Sequence, residues 1–238
     1  AAIDAVDEIW APTVFVRDAY RAGTDKPVHL VPLPIARPDV APVGRADVGL
    51  DDRFTFLVSF DHLSVMERKN PLGAIDAFGR AFPRGDESVR LHVKTLNARL
   101  RTASHRRLAD RAANDARIRL VDGHVSDGEH LALIRESDAL VSLHRSEGLG
   151  LQPAAAMWLG TPVIASRYSG TLDLMDDASA ALIDVTLVPV RNSDGAYPSD
   201  GVWAEPDLDQ AASAMRRLVA EPDFAAALLD GAHKRGFN

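Results

Sequence analysis

The sequence of 238 residues contains no cysteine. This excludes a disulfide scaffold, cysteine-ligated zinc and thiol catalysis, and it suits a reducing compartment. No apolar run approaches the roughly 18 residues that a membrane-crossing helix needs. The opening stretch, AAIDAVDEIW, is acidic and does not read as a secretory signal. Basic residues are outnumbered 27 to 34, for a formal charge of −7, which argues against a nucleic-acid module. There is no P-loop, no Gly-x-Gly-x-x-Gly after a strand and no Gly-x-Ser-x-Gly elbow. A P-loop nucleotidase, a nicotinamide dinucleotide site and a serine-hydrolase site lose their main signatures. The eight histidines are scattered without metal-ligand spacing and read as structural or solvated. His62, His124 and His144 stand out because each falls in a loop expected on the ligand edge. No metal site, internal repeat or low-complexity tract is evident.

What is present is ordinary for a globular protein: 46% apolar and 26% charged residues. The length fits one large domain or one and a half. Short apolar runs alternate with amphipathic stretches, which predicts a parallel sheet with helices on both faces. Ala1 to about Arg21 reads as a short helix, a strand near Ile9–Ala11 and a second helix, with another strand at Val28–Val31. Pro32, Pro34, Pro38 and Pro42 then keep the chain extended, as an interdomain linker would.

The regular part begins at Phe54. FTFLVSF is continuously apolar, as a central parallel strand should be. Asn70 and Pro71 open a helix that Pro83 stops. Val89–Leu96, Ile118–Val121, Ala139–Leu143, Val163–Ala165 and Ala181–Ile183 read as further strands. Helices are expected at about Thr102–Ala113, after the Ser126/Glu129 capping box, at Leu151–Leu159 with Gly160 at its end, after an Asp207/Gln210 cap, and at about Phe224–His233. Val190–Trp203 reads as a loop.

Ligands in such sheets bind at the carboxyl ends of strands, near helix N-termini. Three loops fall there. LHRSEGLG, 143–150, lets backbone approach a ligand closely and carries Glu147, a cap or a ligand for hydroxyl groups. In ASRYSGTLD, 165–173, Ser169 and Gly170 precede a small helix, TLDLM, as an anion site or an ordinary cap. The loop 59–70 carries Glu67, Arg68 and Lys69, either solvated or facing phosphate. Three anion-friendly loops on one edge suggest a nucleoside diphosphate ligand.

Charge is unevenly placed. Seven arginines between Arg99 and Arg119 face only Asp110 and Asp115. They read as a solvated helix face, or as a surface near anionic ligands or lipid headgroups. Nine acids between Asp173 and Asp209 read as a water-facing stretch.

In this order the loops resemble the family 4 retaining glycosyltransferases, which have the GT-B fold. RSEGLGLQPAAAMWLGTPVIAS resembles the family's Glu-Gly-Phe-Gly, Glu-Ala-Met helix and Gly-x-Pro-Val block. ERKNPLGAIDAF resembles its phosphate-loop lysine and following helix, and YSGTLDLMDD its Gly-Gly-x-x-Glu loop. VDEIWAPTVFVRDAYRAG and VHLVPLPI resemble the end of its acceptor domain. AYPSDGVWAEPD resembles a segment of bacterial members.

The resemblance implies a division into 1–35, the tail of an N-terminal acceptor domain; 36–53, a linker; and 54–238, a doubly wound, Rossmann-like nucleotide-sugar domain. It places Glu147 on the donor sugar and Lys69 on the diphosphate, the two residues nearest the chemistry. Gly148, Leu149 and Gly150 would offer backbone N–H groups, and His124 and Val125 backbone contacts to the base. Ser169, Gly170 and Thr171 would form a second phosphate-facing loop. Two positions depart from the pattern. Ala155 stands where a ribose-binding glutamate is expected, and Ser64 replaces an arginine for which Arg68 is the nearest substitute.

The implied activity is retaining transfer from a nucleoside diphosphate sugar, without metal or cofactor. The setting would be bacterial surface polysaccharide or glycoconjugate synthesis. The acceptor, a sugar, lipid-linked glycan or polysaccharide, would come through an N-terminal domain largely outside this sequence, and these residues alone would not transfer sugar. No nucleic-acid partner is expected. The location would be cytoplasmic, with room for peripheral contact with the inner membrane face. The alternative is a degenerate, non-catalytic nucleotide-binding module, favoured by Ala155 and Ser64. An epimerase of the same fold is disfavoured because no histidine–acid pair is evident.

Overall fold

The computed structural model describes residues 2–85, 87–191, 196–198 and 200–237. The strands are β1 (Ile9–Ala11), β2 (Val28–Leu30), β3 (Phe54–Asp61), β4 (Val89–Leu96), β5 (Ile118–Asp122), β6 (Ala139–Ser142), β7 (Val163–Ser166), β8 (Ala181–Ile183), β9 (Val185–Pro189) and β10 (Val202–Pro206). The α-helices are α1 (Val14–Arg21), α2 (Met66–Lys69), α3 (Pro71–Ala81), α4 (Thr102–Ala112), α5 (Asp127–Glu136), α6 (Leu151–Trp158), α7 (Leu208–Ala220) and α8 (Pro222–Lys234).

Six strands form one sheet in the order β5-β4-β3-β6-β7-β8, and every pairing is parallel. This is the predicted doubly wound α/β sheet. Alternate residues of β3 feed opposite cores. Phe56, Val58 and Phe60 join Ile75 and Phe78 of α3, Leu108 of α4 and Met215 of α7. Leu57 joins Leu133 and Ile134 of α5 and Ala156 and Met157 of α6 on the other face. Strands buried on both faces explain the continuous apolar runs. The strand order reverses between β3 and β6, the switch point outside which such sheets have their ligand crevice, and the two loops leaving those strands meet there.

Helix starts follow local chemistry. The Asn70 side chain accepts from Gly73 N at the head of α3, with Pro71 in the first turn. The Ser126/Glu129 box closes in both directions at α5. Asp207 alone caps α7. Gln210, expected to share that task, instead accepts from Asp184 N at 2.6 Å and ties β8 to the helix.

Two other expectations are corrected, and a third in part. Val202 and Trp203 are not loop: they begin β10, which pairs antiparallel with β9. Of the remaining predicted loop, 192–195 and 199 lie outside the described residues. The small helix after β7 starts at Ser169, not Thr171, as a 3₁₀ segment to Asp173. The arginine cluster is exposed at six of its seven positions, as a solvated face would be, but part of it is ion-paired and Arg117 is buried. Arg117 sits between Asp115 and Glu87, Arg107 meets Glu67 at 2.7 Å, and Arg111 is bonded to Asp76.

The N-terminal segment docks on the loops leaving β6 and β7, and the proline-rich stretch packs against the second core. Strands β1 and β2 pair in parallel. Thr13 caps α1 through Val16 N and donates to Gly148 O at 2.8 Å, while Asp173 accepts from Val14 N at 2.8 Å. The proline-rich stretch carries no strand. It is pinned by Trp158 to Ile35 O and by Arg45 to Asp138, and Leu50 enters the second core.

Candidate functional site

The carboxyl ends of the sheet strands collect the unusual backbone of the molecule. Among the described residues, non-glycine positive φ occurs only at Val65, Asn70, Asn97 and Ser169. All four lie in loops leaving β3, β4 or β7. Asparagine tolerates this region, but a β-branched residue such as Val65, at φ 63°, is strained there. Such strain costs on the order of 1–3 kcal/mol and persists where surrounding structure over-determines the loop.

The loops on either side of the β3/β6 crevice meet at Glu147. Lys69 Nζ donates to Glu147 Oε2 at 2.5 Å, and Arg68 Nη1 reaches the same oxygen at 3.3 Å. Arg68 is held by Ser64 O at 3.1 Å and Ser146 O at 2.9 Å, so its guanidinium occupies the space beside position 64. Burial pushes the Glu147 carboxyl up, but Lys69 and Arg68 outweigh it and hold the group below its ordinary value. Two cations against one carboxylate leave a positive excess at the crevice. Arg145, the next cation along, is neutralised by Glu205 at 2.7 and 2.9 Å and also donates to Glu67 O.

Behind Glu147 the glycine turn is locked to the β7 loop. Glu147 N donates to Ser169 Oγ at 2.8 Å and Gly170 N to Glu147 O at 2.9 Å. Gly170 lies so close to Gly148 O that a Cβ there would overlap it. Gly150 has φ 93°, and a Cβ on it would meet Thr171 Cγ2 at 2.7 Å. Thr171 is buried, with its hydroxyl on Tyr168 O at 3.0 Å. Ser169, Gly170 and Thr171 therefore spend these groups on supporting the turn. The N–H groups of Gly148, Leu149 and Gly150 have no acceptor among the described residues, and they precede the first turn of α6. Free N–H groups at a helix start suit an anion.

His144 lies wholly buried under the turn, 3.4 Å from Thr171 Oγ1. Burial pushes its pKa down to about 4, so it is neutral near pH 7.

A second cavity, about 290 Å³, lies at the ends of β3, β4 and β5. His124 and Val125 line it and are exposed, as do Lys94, Asp127, His130, Ser59 and Gln152. Gln152, in the first turn of α6, is 3.5 Å from Ser59 Oγ and joins this cavity to the glycine turn. Ala155 is half-buried and packs on the second core rather than lining the cavity. His62 is buried elsewhere, 3.3 Å from His105. A larger cavity, about 460 Å³, sits beside the β9–β10 hairpin and holds Glu67, Arg107 and Arg145 but neither Lys69 nor the glycines. Among the described residues no three His, Asp or Glu side chains gather as a metal site would require.

Sequence reasoning passed over three residues. Lys94 continues the alternation Arg90, His92, Lys94 along VRLHVKTL, so nothing local sets it apart as a site residue. Gln152 lies one turn before the conspicuous Ala155. Thr13 had no local signal, since its partner Gly148 is 135 residues away.

A doubly wound sheet with an ion-paired glutamate, lysine and glycine turn at its reversal defines one Rossmann-like half of a GT-B glycosyltransferase. Residues 17–231 match the family described as "Family 4 Glycosyltransferase in conflict systems", and the chain belongs to that family. Solved structures agree on the fold. Anabaena HepE, solved with UDP and glucose, superposes with a TM-score of 0.73 at 14% identity, covering 96% of this chain and 58% of that one. Sucrose-phosphate synthase of Thermosynechococcus elongatus gives 0.67 at 20%, covering 97% and 53%. S. aureus TarM, solved with UDP among its ligands, gives 0.67 at 13%, covering 98% and 41%. The chain thus spans about half the length of the structures it matches. No protein of curated function matches in sequence.

Proposed function

We propose that the crevice binds a nucleoside diphosphate sugar and that residues 54–238 are the donor half of a retaining, metal-independent glycosyltransferase. The observation that carries this reading is the Lys69–Glu147–Arg68 cluster beside the free N–H groups of Gly148–Gly150. The UDP held by HepE and by TarM supports it.

In this mechanism the incoming diphosphate takes Lys69 and Arg68 away from Glu147. The freed carboxylate accepts from hydroxyls of the donor sugar. Lys69, Arg68 and the glycine-turn N–H groups then stabilise charge as the bond from the sugar's anomeric carbon to phosphate breaks. The acceptor oxygen bonds that carbon on the same face, and its proton passes to the leaving diphosphate. The acceptor, a sugar, lipid-linked glycan or polysaccharide, is delivered by a second domain whose closure completes the site. Residues 1–35 belong to that domain and 36–53 link the two. Residues 1–238 alone bind donor without transferring it. The setting we favour is glycoconjugate synthesis at the cytoplasmic side of a membrane.

Lys69→Ala should weaken nucleoside diphosphate binding by about 1.5–3 kcal/mol, read by calorimetry. Unchanged affinity would remove Lys69 from the site. Ala155 and Ser64 favour a second reading, a binding module that has lost catalysis. Sugar turnover by the complete two-domain protein separates the two.

A further inference from the structure

The cavity at the ends of β3, β4 and β5 has one buried cation in it. Lys94 is 6% exposed, yet its ammonium has no carboxylate partner. It donates to Thr95 O at 3.0 Å and to Gly123 O, which accounts for two of its three protons. Burying an ammonium on carbonyl oxygens without a bonded carboxylate is costly, and burial lowers its pKa, although the nearby Asp122 charge opposes that shift. An apolar residue or an alanine would fill that position of β4 without the cost. The third proton is left for whatever enters the cavity.

The placement of the cavity says what enters. Resting on the donor-site reading above, the diphosphate lies over the loops of β3, β6 and β7. A nucleotide laid along the strand ends from there carries its base over β4 and β5, past Gln152 and Ser59, which line both stretches. The exocyclic group farthest from the ribose is then the deepest atom of the base, and the cavity wall there is Lys94. An ammonium donates only. It pairs with the carbonyl oxygen that uracil and guanine carry at that point and repels the amino group that adenine and cytosine carry.

The geometry points to Lys94 as a base-reading residue, so that the donor is a nucleotide of an oxo base, uracil or guanine. His124 and Val125 bound the same cavity; of its two carboxylates, Asp127 is exposed and Asp61 is taken up by Leu63 N and Asn97, so Lys94 is its buried charge.

The test measures calorimetric affinity for UDP, GDP, ADP and CDP on the chain and on its Lys94→Met and Lys94→Gln variants. UDP, GDP or both should bind at least about tenfold tighter than ADP and CDP, the span of one hydrogen bond to a charged group. Which of the two leads identifies the base. Both variants should collapse that ratio, and Lys94→Gln, whose amide oxygen accepts, should gain affinity for ADP and CDP. A merely structural Lys94, tying β4 to β5, would shift all four affinities by one factor, and that result overturns the inference. So does an unchanged ratio in a variant that melts like the parent, or equal binding of all four by the parent chain. If neither variant folds, the parent's ratio decides. Absence of binding by all four overturns the donor-site reading and this inference together, whereas binding without base preference overturns this inference alone.

Discussion

Two stretches of one sheet edge are built differently. Over β6 and β7 the backbone is tightly held: Gly170 against Gly148 O, Gly150 against the Thr171 methyl group, Ser169 Oγ on Glu147 N. Over β4 and β5 the loops are joined mainly through side chains, as Asn97 to Asp61 and Ala98 N to Asp122, and side chains such as Lys94, His124 and Gln152 line the opening. The first stretch has almost no freedom to vary without collapse. The second can change its lining and keep the fold. A fixed half suited to the constant part of a ligand and a variable half suited to its distinguishing part is what this contrast teaches, and it can be broken at several points.

The harshest test is on the locked side. Gly170→Ala places a methyl group inside contact distance of Gly148 O and C, which are backbone and cannot rotate away. We expect a loss of at least about 3 kcal/mol in urea unfolding, at the top of the range for overpacking. His124→Ala, on the exposed rim of the cavity, should stay within about 0.5 kcal/mol. Similar losses for both would erase the contrast.

Acid should act on both stretches equally. His144 under the glycine turn and His92 in β4 are buried, and burial lowers each pKa to about 4. The unfolded chain takes up these protons near pH 6.5, while the folded chain does not until about pH 4. This contribution is therefore complete above pH 6.5, is lost as pH drops toward 4 and is level below, where protonation of carboxylates held below their ordinary values, Glu147 among them, continues the fall in stability. Each histidine contributes about 3 kcal/mol to that loss, at 1.36 kcal/mol per pH unit. Urea midpoints at pH 7, 5.5 and 4 should show it, and His144→Gln should flatten the fall relative to the parent. A parent protein with the same midpoint at pH 7 and 4 would contradict the burial of both rings.

The same contrast decides what could be read beforehand. Local chemistry was legible: Asn70 with Pro71, the Ser126 box and Asp207 each start a helix where expected. The glycine turn was legible because close approach leaves few residue choices. The Lys69–Glu147 contact spans 78 residues and was not legible: the reading of the loops places both on one sheet edge and the resemblance puts both residues on the ligand, but neither carries a local signal for the other. The β9–β10 hairpin escaped because its strands are half exposed and its connection long. The cavity over β4 and β5 escaped because a lined opening has no sequence period. Its clue is the family resemblance, which puts His124 and Val125 against the base; Lys94 itself sits in an alternating strand and carries no signal.

The smallest effect we expect is at Ala155, where the two stretches join. The residue follows Gln152 by one turn, and helical side chains lean toward the N-terminus. A longer side chain at 155 therefore reaches back over Gln152, which lines the cavity, and not down into the sheet. The site is half-buried, so a carboxylate there keeps a route to water. Its Cβ touches the second core, so a longer side chain has to turn away from that contact to reach the cavity. Ala155→Glu should then supply an acceptor for ribose hydroxyls and tighten nucleoside diphosphate binding roughly tenfold, for one charged hydrogen bond. The cost in stability should stay below about 1 kcal/mol, because alanine and glutamate differ little in helix propensity. The opposite result is as clear. A large fall in melting temperature with no gain in affinity would mean that 155 belongs to the packed side of the helix, and that the cavity ends at Gln152.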